Sequence, residues 1–335
     1  MSLTVAIANP LEHAFEVKEF FVVNGLATFP DFFDRTYPAA VERGATVWLG
    51  RDERGRLVMY QACFPRRFRH GGRDLVAGLM VNMMVARDHR SFFPALGLMR
   101  RVLQDLGARG DVDFLYADPN ETARRLLQVA GFVELGTLQR YVLPIAGRGV
   151  ADWGVRLFHA VLRATDGAGA GMAATSQAAS EFAWQSVAAP PSGAPYVTAY
   201  HDPALYASRL PGYPSALDWW LTLRRSAAPG PPDGAWLVRG PDAAGLAALR
   251  AVRCRPDVGP AAALPALIAE LRRRGCTRLQ VSTIAESRLG RALRRAGFRP
   301  RQDRVPMLAK ALSPAGEACI RAVADWEITD LECDR

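Results

Sequence analysis

Two stretches of this chain pass through the same succession of apolar periods. From Pro94 onward, Leu96, Met99, Leu103 and Leu106 recur every three or four residues, the spacing of an amphipathic helix, with Pro94 suited to its first turn and Gly107 to its stop. Val112–Ala117 (VDFLYA) then reads as a short apolar strand. Asn120 is placed to cap a second helix that carries Ala123, Leu126, Leu127 and Ala130 on one side and ends at Gly131, and Phe132–Leu143 reads as a further strand. The second half repeats the pattern. Pro265-Ala266-Leu267 opens a helix, Arg278–Ser282 matches the short strand, and Leu289–Ala296 leads to Gly297-Phe298 as the earlier helix leads to Gly131-Phe132. Gly110 and Gly131 stand 21 residues apart, Gly275 and Gly297 22, which points to an internal duplication.

Ahead of the first unit, Ala45–Tyr60 reads as a hairpin around the polar turn Gly50–Gly55, and Leu75–Val85 as an interior strand after the turn His70-Gly71-Gly72. A length of 335 residues accommodates two cores. Residues 1–147 and 196–335 are the expected domains, and 148–195 holds a helix and a linker. In that middle part Val150–Leu162 has helical period, and Asp166–Pro195 is dense in Gly, Ala, Ser and Pro.

Only Lys18 and Lys310 are lysines, so the formal charge of +9 is carried by arginine. Arginine suits bidentate contact with phosphate or carboxylate, but the positive residues are scattered, which argues against nucleic acid as a partner. The five cysteines, Cys63, Cys254, Cys276, Cys319 and Cys333, form no metal-ligand spacing. Neither do His13, His70, His89, His159 and His201, of which only His89 falls in a segment of interest. No metal is expected. No positively charged leader opens the chain and no run of roughly 20 apolar residues interrupts it, so the expectation is a cytoplasmic protein without a membrane span.

The strand Leu75–Val85, the loop Ala86–Phe93, the helix from Pro94, the strand end Asp118-Pro119-Asn120 and the run Asn120-x-x-Ala123-x-x-Leu126-x4-Gly131-Phe132 together resemble the GNAT superfamily of N-acetyltransferases. The resemblance covers residues 20 to 145, and the second half resembles a shorter, diverged copy, as in tandem GNAT proteins. It implies an α/β (α+β) fold of two GNAT-like domains, each a mixed, partly antiparallel sheet flanked by helices. It also implies an acyl-CoA, acetyl-CoA above all, as cosubstrate. In that fold a bulge parts two neighbouring parallel strands, here Leu75–Val85 and Val112–Ala117, and the freed backbone bonds the pantetheine arm. The diphosphate lies at a helix N-terminus, here after the loop Arg87–Ala95.

The cofactor-binding residues implied are Met84 and Val85 on the strand, Arg90, Phe93 and Ala95 in the phosphate loop, and Asn120. The loop motif Arg/Gln-x-x-Gly-x-Gly/Ala, laid on Arg90–Ala95, keeps Arg90 and Ala95 but puts Phe93 where glycine stands, so the ring either blocks the phosphate or the loop is repositioned. The tyrosine that protonates the leaving thiolate falls on Leu127. Tyr116, Asp118 or a water is then the substitute, with Asn82 aimed into the cleft or satisfying a bulged backbone.

In the second copy the stretch Cys254–Gly259 lacks the phosphate-loop spacing, Glu286 replaces the asparagine and Leu293 stands at the tyrosine position. That half is expected to cover the first sheet or wall the acceptor cleft. The resemblance thus implies an N-acyltransferase whose amine acceptor, a small primary amine and possibly an amino sugar, attacks the thioester directly. The alternatives are a non-catalytic protein that binds an acyl-CoA or a protein partner through the same cleft, and an arginine-rich nucleic-acid binder. Trp219-Trp220 and Trp326 read as core or interdomain anchors, with a sugar platform as the other reading of the pair.

Overall fold

The computed structural model describes residues 3–146, 173–181, 197–199, 206, 209, 210, 212–224, 232–254 and 264–329. In the first half the strands are β1 (Thr4–Ala8), β2 (Thr46–Arg51), β3 (Leu57–His70), β4 (Arg73–Val85), β5 (Phe114–Ala117) and β6 (Val133–Pro144). The helices are α1 (Ala14–Val23), α2 (Phe29–Glu42), α3 (Phe92–Arg109) and α4 (Glu121–Val129). The second half contributes β7 (Ala173–Ala178), β8 (Val197–Ala199), β9 (Asp218–Arg224), β10 (Gly234–Arg239), β11 (Leu246–Cys254), β12 (Arg278–Ile284), β13 (Arg299–Ala311) and β14 (Trp326–Glu327), with α5 (Leu264–Arg273), α6 (Arg288–Arg295) and α7 (Pro314–Arg321).

The duplicated pattern is present as α3-β5-α4-β6 and α5-β12-α6-β13. Local chemistry sets the boundaries: the Asn120 side chain accepts from Ala123 N at 2.9 Å and Ser287 Oγ from Gly290 N at 3.0 Å, each capping its helix. The first long helix does not stop at Gly107. It runs on to Gly110, whose φ of 66° is the left-handed cap that a side chain resists, and Gly110 N–H closes on the Leu106 carbonyl.

All fourteen of the described strands belong to one sheet, in which the order β1-β2-β3-β4-β5-β13-β6-β12-β11-β10-β9-β7 forms the main path. The two halves exchange strands at its centre. The strand after α6, β13, lies antiparallel against β5, with Leu308 opposite Ala117, while the strand after α4, β6, lies antiparallel against β12, with Tyr141 opposite Val281. The pair then meets as β13–β6. Glu286 assists this junction, its carboxylate accepting from Thr137 N at 3.0 Å. The stretch expected as a linker includes a strand, because Ala173–Ala178 pairs with β9 at the far edge. The expected helix at Val150–Leu162, the remainder of the linker apart from Ala173–Glu181, and His159, His201 and Cys333 lie outside the described residues.

Two large cores result. The first sits around β3, β4 and β5 and includes Met307, Leu308, Cys319, Ile320, Trp326 and Ile328 from the other half; the second gathers Trp219, Trp236, Leu267, Leu279 and Leu293. Trp326 is fully buried, its ring 5.6 Å from Phe68 and from Phe114, so it anchors the second half of the chain in the first core. Trp219 and Trp220 are likewise buried, which removes the reading of the pair as a sugar platform. No described helix is long and apolar enough to cross a membrane.

Candidate active site

β4 and β5 pair in parallel at only three positions, Ala77–Phe114, Gly78–Leu115 and Leu79–Tyr116. β5 ends one residue later, at Ala117, while β4 continues to Val85 with β3 as its neighbour. Where β4 leaves β5, its own ladder is interrupted: Ala62 pairs with Val81 and Tyr60 with Met84, so one residue of β3 faces two of β4, Asn82 and Met83. This is a β-bulge, and Asn82 adopts φ 57° in it, a conformation asparagine tolerates better than most residues. The parted strands leave a cleft of about 200 Å³ between Met80–Met83 on one side and Ala117–Asn120 on the other, floored by Met99 and Leu127.

Side chains hold the bulge open. The Gln61 amide donates to the Ala62 carbonyl at 2.7 Å and the Val81 carbonyl at 2.9 Å, and Asn82 Nδ2 donates to Tyr37 Oη at 3.0 Å. Tyr37 is fixed from below by an aromatic stack in which Phe33 lies 4.4 Å away and Phe64 meets it edge-on at 5.1 Å. Burial drives the neighbouring Tyr60 well above the usual phenol range, with Tyr37 beside it adding to the shift. Gln61, Tyr37 and the methionines of the cleft were not among the residues expected from sequence. One signal for Gln61 was present, a lone amide inside the apolar strand Leu57–Phe64.

After β4 the chain makes a single 3₁₀ turn at Arg87–His89 and enters α3 at Phe92, with Ser91 before it in extended conformation. The first N–H groups of α3 have no partner within the helix, and Pro94 has none to offer, so Ser91, Phe92 and Phe93 supply the N–H groups at this positive end. The loop is braced on the α1–α2 corner: Asn24 Oδ1 accepts from Arg87 N at 2.9 Å, and Arg90 donates to the Val85 carbonyl at 3.2 Å and the Asn24 carbonyl at 3.4 Å. His89 donates from Nδ1 to Asp88 at 2.9 Å and Arg56 donates to the same carboxylate at 2.7 Å, which together bring Asp88 down to about 2.

The residues expected from sequence fall in four places. Asn82, Asp118 and Asn120 line the cleft, and Arg90 and Ala95 flank the helix entry. Phe93 is 80 % exposed, 6.1 Å from the Phe92 ring, so its side chain does not fill the loop. Met84 and Val85 lie just past the bulge, paired with Tyr60 and Met59, so the backbone outside the ladder is that of Asn82 and Met83. Tyr116 is fully buried, 5.8 Å from the Phe68 ring and 6.2 Å from Phe114, in a strand whose four residues are all buried, a placement that does not suit a proton donor to the cleft. Leu127, at the expected tyrosine position, is buried at the cleft floor.

The second half has its own parallel pair, β11 with β12, matched from Leu246–Arg278 to Leu249–Val281. Beyond the last pair the tail of the chain bonds both strands: Thr329 Oγ1 donates to the Arg250 carbonyl at 2.5 Å, and Thr283 Oγ1 to the Ile328 carbonyl at 2.6 Å. Ile328, Thr329 and Thr283 are all buried. The chain itself closes this second opening.

No family model matches the sequence, and no curated protein matches it. Solved structures do. A GCN5-related N-acetyltransferase from Kribbella flavida aligns over 94% of this chain and 73% of its own at TM-score 0.64 and 13% identity. The chain has the GNAT fold. A tandem GNAT protein from the clavulanic acid biosynthesis pathway aligns over 93% of this chain and 99% of its own at TM-score 0.51 and 12% identity. A fungal multi-domain GH3 β-N-acetylglucosaminidase, described as having a GCN5-related glucosamine N-acetyltransferase region, aligns over 92% of this chain and 38% of its own at TM-score 0.54 and 10% identity. In the GNAT fold of this chain, the parted β4–β5 pair is the feature with room for a ligand chain between strands, and its β11–β12 counterpart is bonded shut.

Proposed function

We propose that the protein is an acyl-CoA-dependent N-acyltransferase, with acetyl-CoA as the first cosubstrate to test and the slot between β4 and β5 as its site. The observation that carries this reading is the bulge at Asn82–Met83, which takes the backbone of these residues out of the sheet ladder beside the cleft between β4 and β5. The residues fit the cosubstrate. Backbone of β4 offers hydrogen bonds to the pantetheine amides, and the N–H groups of Ser91, Phe92 and Phe93, with the Arg90 guanidinium nearby, suit a diphosphate. Met80, Met83 and Met99 give the thioester an apolar, adaptable bed.

The acceptor amine attacks the thioester carbonyl directly: the C–N bond forms, the C–S bond breaks, and CoA leaves as its thiolate. N–H groups of the bulge stabilise the developing oxyanion, and the amine proton passes to Asp118, the carboxylate among the residues lining the cleft. With Leu127 at the floor and Tyr116 in the core, the thiolate takes its proton from water. The class of acceptor is a small primary amine; an amino sugar is the sharper version, supported by the glucosamine N-acetyltransferase among the structures of similar fold.

Thermal melting with acetyl-CoA tests the binding step, since a ligand at 100 times its Kd stabilises by ~2.7 kcal/mol. Thiol release with a panel of amines and amino sugars tests turnover, with Asp118→Asn expected to lower kcat while leaving the acetyl-CoA Kd unchanged. A melting shift without thiol release for any amine favours the second reading, a non-catalytic acyl-CoA binder. That reading draws on the lack of a phenol at position 127.

A further inference from the structure

Asn82, with φ 57°, is the one residue other than glycine that has a positive φ among the described residues. Against the φ of about −120° usual in a strand, this rotates the Asn82–Met83 peptide by about half a turn, at the place where β3 offers neither residue a partner. An L-residue resists that conformation, asparagine less than most. Gln61 secures the ladder beside it, at the Ala62 and Val81 carbonyls, and leaves the Asn82 carboxamide to another element.

That element is α2. Tyr37 Oη accepts from Asn82 Nδ2 at 3.0 Å, and this is the carboxamide's one hydrogen bond among the described residues. The phenol has little freedom of its own. It is fully buried, stacked at 15° on Phe33 at 4.4 Å, met edge-on by Phe64 at 5.1 Å and flanked by Phe29 at 6.0 Å. Phe64 belongs to β3 and stands opposite Leu79 of β4, so the ring packs against the same pair of strands whose ladder the bulge interrupts.

We propose that Tyr37 is a positioning residue for acyl-CoA: its hydroxyl holds the Asn82 carboxamide and so keeps the rotated Asn82–Met83 peptide out of the ladder before the cosubstrate arrives. The ligand's identity rests on the acyltransferase reading; the hold on the bulge rests on the geometry alone. Tyr37 is not among the residues lining the cleft and acts through Asn82, which is. Binding costs less when the backbone that the pantetheine arm meets is already presented.

Tyr37→Phe tests this, since it removes the hydroxyl and keeps the stacked ring. Hydrogen exchange of the unliganded full chain is expected to quicken in peptides spanning residues 79–85 and to match the parent in peptides from α3 and β12. Acetyl-CoA affinity, measured by calorimetry, is expected to fall roughly fivefold, the loss of one hydrogen bond. Asn82→Gly leaves a backbone free to take positive φ but no carboxamide to hold, so adding Tyr37→Phe to it is expected to change the affinity by less than about twofold. The proposal is overturned if exchange at 79–85 is unchanged, if it quickens equally throughout the chain, or if Tyr37→Phe weakens acetyl-CoA binding as much in the Asn82→Gly background as in the parent. A parent that neither binds acetyl-CoA nor releases thiol defeats the acyltransferase reading instead, and the exchange measurement still decides whether Tyr37 holds the bulge.

Discussion

The Gln61 side-chain amide donates to the Val81 carbonyl at the residue pair where β4 parts from its regular ladder. The same amide reaches the Ala62 carbonyl, so one buried side chain supplies hydrogen bonds that the interrupted sheet does not. Replacing it by leucine leaves two buried carbonyls without this donor. Gln61→Leu is expected to destabilise the protein by ~1–3 kcal/mol and to reduce the melting shift given by acetyl-CoA. Denaturant unfolding with and without the ligand measures both; an unchanged ligand shift would separate the bulge from the binding site.

Phe93 stands in the second turn position of α3 with its ring in solvent. Phe93→Ala is therefore expected to change acetyl-CoA affinity by less than about twofold, as for an ordinary surface substitution. Calorimetry decides this, and a large tightening would mean that the ring covers the phosphate position.

Asp88 connects the loop before α3 to the β2–β3 hairpin through Arg56. The His89 hydrogen bond and then the Arg56 pair lower its pKa to about 2, below the usual value near 4. A depressed carboxylate contributes stability that is complete above its unfolded pKa and is lost as pH falls through its folded one. The parent is expected to melt above Asp88→Asn at pH 6, with the gap closing between pH ~4 and pH 2. Melting curves of the two proteins across that range check the sign.

The tail bond between Thr283 and Ile328 predicts a single acyl-CoA site per chain, read as a calorimetric stoichiometry of one. Thr283→Val, which removes the donor to a buried carbonyl, is expected to cost ~1–3 kcal/mol in unfolding free energy. A stoichiometry of two in the parent would show that Ile328 and Thr329 leave the second opening accessible.

The repeat was legible because Leu96, Met99, Leu103 and Leu106, and their counterparts after Pro265, keep one face apolar regardless of tertiary context. The cap at Asn120 is an equally local signal, whereas the cap of α6 falls on Ser287, one residue after the Glu286 matched to Asn120. The helix end was misjudged by three residues, since Gly107 is exposed and tolerated within the helix, while Gly110 is the residue in the left-handed conformation. Asn82 and Asp118, singled out from their places at the ends of the two strands, both line the cleft. The burial of Tyr116 was not legible, because it depends on residues distant in sequence: Phe68 packs against it, and Trp326 packs in turn on Phe68 and Phe114. Helices α1 and α2 went unread, although Phe29, Phe33 and Tyr37 recur every four residues, because Pro30 and Pro38 interrupt the helical signal.

Since β13 supplies the neighbour of β5 and β6 the neighbour of β12, neither copy of the repeat owns a finished sheet. A cut between the halves would bare the flank of β5, the strand that forms one wall of the slot. The closed, diverged copy thus cannot be shed once its strand has been traded: it persists as the indispensable half-frame of the parted strands.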